Sequence, residues 1–193
     1  MIISKTPLRI SFFGGGTDYP AWFRENGGAV LSTTIDKYCY ITMRYLPPFF
    51  EHNYRVVYSQ VEQVKYVSEI KHPVVKAVLE NSDIKEGIEI HHDGDLPAHS
   101  GLGSSSSFSV GMLHCMHALK GRIVSKRELA DESIHLERNI LNEYGGHQDQ
   151  IAVSHGGFNK IIFIKDGSYR IEPVTVNMEK IKQVEERIKN EKD

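Results

Sequence analysis

The segment GIEIHHDGDLPAHSGLGSSSSFSVGMLHCMHAL, residues 87–119, reads as a strand, a loop and a helix in succession. Ile88 and Ile90 alternate with polar neighbours, which predicts a half-buried strand from Gly87 to His92. Phe108, Met112, Cys115, Met116 and Leu119 recur at helical spacing, and Gly121 ends the run. Between the two lie Pro97 and then Gly101-Leu102-Gly103-Ser104-Ser105-Ser106-Ser107. A Gly/Ser loop that feeds a helix N-terminus aims free N–H groups and the positive end of the helix dipole at one point, which is the geometry of a phosphate site. Gly101 and Gly103 let the backbone come close to the anion. The serines add hydroxyl donors and an oxygen ligand for a metal ion. No lysine follows the second glycine as a Walker A loop requires, and no Gly-x-Ser-x-Gly nucleophile elbow runs through the serines.

Upstream, the β-rich stretch Leu8 to Phe13 ends on Gly14-Gly15-Gly16. Ala21 to Arg24 reads as a helical turn closed by Asn26-Gly27-Gly28. Ala29 to Thr34 and Tyr38 to Tyr45 read as two strands, with Asp36-Lys37 as a tight turn between them. Arg55 to Ser59 is a further short strand. His72 to Asn81 has the apolar spacing of a helix. Downstream, Ser125 and Glu128 form a capping box, and Leu129, Ile134, Leu136 and Ile140 carry that helix towards Gly145-Gly146. Phe158 to Ile164 and Tyr169 to Val174 make a hairpin around Asp166-Gly167. From Asn177 the chain is charged, with an apolar stripe at Met178, Ile181, Val184 and Ile188 that calls for the domain itself, a partner chain or self-association to cover it. Strands and helices are intermixed, so the fold class is α+β or mixed α/β.

A chain of 193 residues is long enough for one good core. A formal charge of −2 argues against a broad nucleic-acid footprint. No apolar run approaches membrane-spanning length and the N-terminus lacks a long apolar region, so the expected compartment is the cytoplasm, without a membrane contact. Cys39 and Cys115 fit no metal spacing and are expected as buried free thiols. His114 and His117 stand three apart, but no Cys/His set with the spacing of a structural zinc site accompanies them.

Two further segments frame the loop. One runs Thr6-Pro7-Leu8-Arg9-Ile10-Ser11-Phe12-Phe13-Gly14-Gly15-Gly16-Thr17-Asp18-Tyr19. The other runs from Glu137 through Gly145-Gly146-His147-Gln148-Asp149-Gln150. In this order and approximate spacing, the three segments resemble the GHMP kinase superfamily, from about Ile3 to about Val176. The Gly-Gly-Gly-Thr-Asp-Tyr-Pro form, with Ile35-Asp36-Lys37-Tyr38, looks most like the branch whose acceptor is D-glycero-D-manno-heptose 7-phosphate.

The resemblance implies an α+β domain with a mixed sheet and packed helices over residues 1–176, the first of the family's two domains. It implies that residues 177–193 form an amphipathic helix at the start of the second. It also implies Mg²⁺-dependent transfer of a phosphoryl group from ATP to a sugar-phosphate hydroxyl. By position, Pro97 and Gly101, Leu102, Gly103, Ser104, Ser105 and Ser106 would hold the ATP. Ser105 and Glu137, twelve residues before Asp149, would ligate the metal, a chemically sound oxygen set once phosphates and waters join it. Asp149 matches the catalytic aspartate and Arg9 a cation near the transferring group. Gly15, Gly16, Thr17, Asp18, Gly146 and His147 would line the sugar. Taken singly, Asp149 and Asp18 have a second reading as turn residues, Arg9 as a strand-surface side chain and Glu137 as part of a solvated helix face. For the far phosphate of the acceptor, Arg44, Arg55 and Lys37 are the cations on offer.

Overall fold

The computed structural model describes residues 1–97, 100–177 and 179–180. Twelve main elements follow one another: β1 (Ile2–Phe13), α1 (Pro20–Asn26), β2 (Gly28–Tyr45), β3 (Tyr54–Val57), β4 (Val61–Val64), α2 (Pro73–Glu80), β5 (Ile88–Gly94), α3 (Ser104–Leu119), α4 (Lys126–His135), α5 (Gln148–His155), β6 (Phe158–Phe163) and β7 (Tyr169–Pro173). The seven strands form one mixed sheet, in which β3 and β5 are parallel and every other pair is antiparallel. The class is α+β. The charged tail with Met178, Ile181, Val184 and Ile188 lies outside the described residues.

The sheet is organised by β2, which pairs with β1 along most of its length. Its first half also pairs with β6 and its second half with β5. The expected turn at Asp36-Lys37 is not formed, and the two strands expected on either side of it are one. In its place is a bulge, because Thr34 faces Arg9 and Tyr38 faces Pro7, so that Ile35, Asp36 and Lys37 oppose Leu8 alone. The bulge shifts the phase of the strand. Val30 and Ser32 point inward before it, Cys39, Ile41 and Met43 after it. A break in alternation looks like a chain reversal when only one strand is in view.

The helices cover one face of the sheet. α3 lies across β1 and β2, with α4 and α5 beside it. Ile41, Met43, Ile88, Ile90 and Met112 are fully buried between the layers, joined by Val75, Val78 and Leu79 of α2. A smaller cluster of Phe23, Val30, Ile151, Ile161 and Phe163 anchors α1 and α5 to β6. Cys39 and Cys115 are buried and free, and burial pushes the Cys39 thiol up to about 12. Ser125 and Glu128 form the expected capping box of α4. That helix continues into a π-helical turn over Leu136–Ile140.

The expected half-burial of β5 fails at Glu89, which is 3% exposed on the far side of the strand from Ile88 and Ile90. Arg44 of β2 and Arg55 of β3 flank it from both neighbouring strands, with Arg55 Nη1 at 2.5 Å from Oε1 and His91 Nε2 at 2.9 Å. Arg44 stands ten residues along β2 from Thr34, roughly 30 Å of strand. Neither arginine therefore reaches the glycine turn that follows β1.

Candidate functional site

α3 begins at Gly103, whose φ of +77° is left-handed and whose position leaves a Cβ only 3.0 Å from Arg9 Cγ. No side chain caps this end, so the first amides of the helix, Ser104 to Ser106, keep free N–H groups. Ser107 turns inward and donates its hydroxyl to Pro7 O at 2.8 Å and Gly103 O at 3.0 Å, which ties the helix start to β1. Ser104 and Ser105 border a cavity of about 200 Å³ walled by Tyr38, His72, His92 and Phe108. His72 stacks on Phe108 at 4.7 Å and His92 meets it edge-on at 4.9 Å. Burial holds both imidazoles below their ordinary pKa, hence neutral at pH 7. Pro97 is exposed ahead of the loop.

Arg9 crosses from β1 to this loop. Its Nε and Nη2 donate to the two carboxylate oxygens of Asp149 at 2.7 Å each, and its Nη1 donates to Gly101 O at 2.8 Å. Its backbone N–H reaches Leu102 O at 2.9 Å. A planar guanidinium thus fixes the loop and the aspartate in one geometry. Asp149 itself sits in the first turn of α5, with a partly exposed side chain.

The glycine turn after β1 meets the start of the same helix. Asp18 is 1% exposed, and its carboxylate accepts from Gly16 N at 3.0 Å and Gln148 N at 3.1 Å. His147 N donates to Asp18 O at 3.2 Å. Gly146 lies so close to Asp18 that a Cβ would fall 1.8 Å from Oδ2. Thr17 folds the turn back through Gly14 O at 2.7 Å, while Gly15 and Gly16 face solvent. The ring of His147 packs edge-on to Phe23 at 5.6 Å. Burial, then the nearby Arg138 charge, holds its pKa down.

Glu137 lies beneath, 2% exposed, on the π-helical turn. Its Oε2 accepts from Gln150 Nε2 at 2.5 Å and from Ser106 Oγ at 3.3 Å, while its Oε1 is buried with no hydrogen-bond partner. Burial raises this carboxyl above the usual range. A buried carboxylate oxygen left open beside a serine-rich helix start fits a divalent cation. The serine bonded to Glu137 is Ser106. Ser105 is exposed one position nearer the mouth.

Glu137, Asp149, Arg9, Asp18 and the loop are therefore neighbours, although up to 140 residues separate them in sequence. Sequence reading missed α5, Gln150 and Arg138. Arg138 clamps the approach to α5 by donating to Glu143 O at 3.2 Å and to Gly146 O at 2.9 and 3.2 Å. Its place beside Glu137 was the only available hint. α5 is short and buried at four consecutive positions, so it shows no helical periodicity. Among the described residues no helix is long and apolar enough to cross a membrane, and no group of three or more His, Cys, Asp or Glu converges on a metal position.

Known proteins resemble this chain in sequence and fold. The chain is 28% identical over 185 residues to the D-glycero-alpha-D-manno-heptose 7-phosphate kinase of Campylobacter jejuni, covering 91% of this chain and 54% of that protein. It is 26% identical to the galactokinase of Pyrococcus furiosus, covering 89% and 49%. The chain thus spans about half the length of these curated relatives. Its fold superposes on a D-glycero-D-manno-heptose 1-phosphate kinase from Bacteriodes thetaiotaomicron with a TM-score of 0.82 at 25% identity, over 92% of this chain and 61% of the other. Residues 65–157 match the model of the GHMP kinases N terminal domain. Residues 65–157 thus match that N-terminal domain, and the chain as a whole has the fold of these kinases.

Proposed function

We propose that residues 1–176 bind ATP and a sugar phosphate and transfer the γ-phosphoryl group to the anomeric hydroxyl of D-glycero-D-manno-heptose 7-phosphate, giving the 1,7-bisphosphate. The observation that carries this reading is the bidentate Arg9–Asp149 pair docked on Gly101 O, at the uncapped start of α3. Phosphates at that helix start would meet free amides and a positive dipole end. The neighbouring cavity, with its imidazole and phenyl walls, suits a nucleobase. The acceptor oxygen bonds to the γ-phosphorus, the bond to the bridging oxygen breaks and ADP leaves. Asp149 takes the hydroxyl proton. Because the transition state is loose, holding the reactants in line and neutralising charge matter more than base strength. Arg9 is placed to share that charge. Mg²⁺, when held by Glu137 with a serine of the Ser104–Ser106 run, supplies further neutralisation of the phosphates. The heptose acceptor is favoured over galactose by the higher identity to the kinase from Campylobacter jejuni, 28% against 26% for the galactokinase from Pyrococcus furiosus.

The test incubates the protein with Mg-ATP and heptose 7-phosphate and follows ADP release, with phosphorus NMR to locate the new ester at C1. Galactose serves as the competing acceptor. Asp149→Asn is expected to lower kcat by at least ~100-fold while the affinity for nucleotide changes less than about threefold. Turnover of galactose in preference to the heptose would overturn the acceptor assignment. Full activity in Asp149→Asn would overturn the mechanism.

A further inference from the structure

We propose that Gln150 is a positioning residue for the cation carboxylate, an inference that rests on the kinase reading above. Asp149 and Gln150 are adjacent on α5, so they point about 100° apart around the helix. Asp149 turns outward to Arg9, whereas Gln150 is 0% exposed and turns inward to Glu137. Its amide N–H₂ lies 2.5 Å from Glu137 Oε2, with the Ser106 hydroxyl at 3.3 Å from the same oxygen. Both donors therefore hold one oxygen, while the other, Oε1, is buried with no hydrogen-bond partner and has the buried Ser109 hydroxyl, likewise unpartnered, as a neighbour.

The residue type matters. An amide donates a hydrogen bond and adds no charge, so it orients the carboxylate without neutralising it for a cation. An arginine at this depth would form a closed ion pair instead. The nearest full charge, Arg138 Nη2, stands 3.6 Å from Oε2 and is directed to Gly146 O at 2.9 Å. Gln150 also carries the coupling between two parts of the site. Through one helix turn it links the orientation of Glu137 to the position of Asp149, so that a shift of α5 displaces both. The price of this arrangement is the amide oxygen of Gln150, which is buried without a partner.

The test titrates Mn²⁺ into the full chain with ADP present, reading bound Mn²⁺ by electron paramagnetic resonance. Two variants are compared. Gln150→Met keeps the volume and removes the donor, and Gln150→Leu removes the donor with a different apolar shape. Both are expected to weaken Mn²⁺ binding by ~10-fold or more, while ADP affinity without metal stays within about twofold, as the loss of an outer support to a metal ligand predicts. In turnover the loss appears as a raised KM for Mg²⁺, with kcat largely recovered at saturating metal. Wild-type Mn²⁺ affinity in either folded variant would overturn the positioning role alone. Failure of the wild-type protein to bind Mn²⁺ with ADP would overturn the kinase reading and this inference with it. Gln150→Leu is the arm that decides if Gln150→Met does not fold.

Discussion

Asp18 and Gly146 form a contact with no spare room. The carboxylate is buried and its oxygens accept backbone amides from two separate segments, Gly16 and Gln148. The absence of a side chain at Gly146 lets those segments meet. Gly146→Ala would place a methyl group within bonding distance of Asp18 Oδ2 and force the glycine turn away from α5. We expect a loss of about 2–4 kcal/mol in urea unfolding. In turnover we expect a raised KM for the acceptor with nucleotide affinity preserved, because the phosphate loop is anchored separately, through Arg9 and Ser107. A variant of wild-type stability would show that the turn can yield without cost. The sequence marked both residues for the sugar site. It did not reveal that Asp18 carries its load as a buried bracket, since burial depends on a neighbour 130 residues away.

Three strands meet at Glu89. Alternation in β5 assigns this residue to the solvent face, and only the pairing of β5 with both β2 and β3 brings Arg44 and Arg55 over it. Burial alone would raise its pKa, but hydrogen bonds from His91, Arg44 and Arg55 outweigh that and bring it down to about 2. A carboxyl whose pKa is lower folded than unfolded adds stability above its unfolded value, and that stability drains as pH falls through the folded one. The window therefore runs from about 4.5 down to about 2. Thermal midpoints of the wild-type protein should fall across that range, and Glu89→Gln should flatten this part of the profile while lowering the plateau at neutral pH. An unchanged slope in the variant would place the acid sensitivity elsewhere. The capping box of α4 was legible from sequence because all its atoms lie within four residues. The continuous β2 was not, because its bulge is defined only against β1.

At the scale of the whole molecule, the site is a meeting of chain segments that a ligand would hold together. β1 supplies Arg9, the α3 loop supplies amides, the π-helical turn supplies Glu137 and α5 supplies Asp149. A ligand that binds only the folded chain stabilises it by RT ln(1 + [L]/Kd), about 2.7 kcal/mol at a hundredfold excess over Kd. For a domain of this size that amounts to a rise of about 5–10 °C in the thermal midpoint. Mg-ATP is expected to produce it, and ATP with chelator a smaller one. A midpoint indifferent to both would count against nucleotide binding at the loop. The sequence by itself determined the local units, namely the strand–loop–helix, the capped α4 and the hairpin of β6 and β7. Each of these is written in a few consecutive residues, through periodicity, caps and turn chemistry. The tertiary structure alone decided that β2 runs unbroken, that Arg44 and Arg55 belong to Glu89, that Arg138 donates to Gly146 and that Gln150 donates to Glu137. Those outcomes depend on which distant groups share a buried volume, and hydrogen-bond satisfaction in that volume is settled only once the layers have packed.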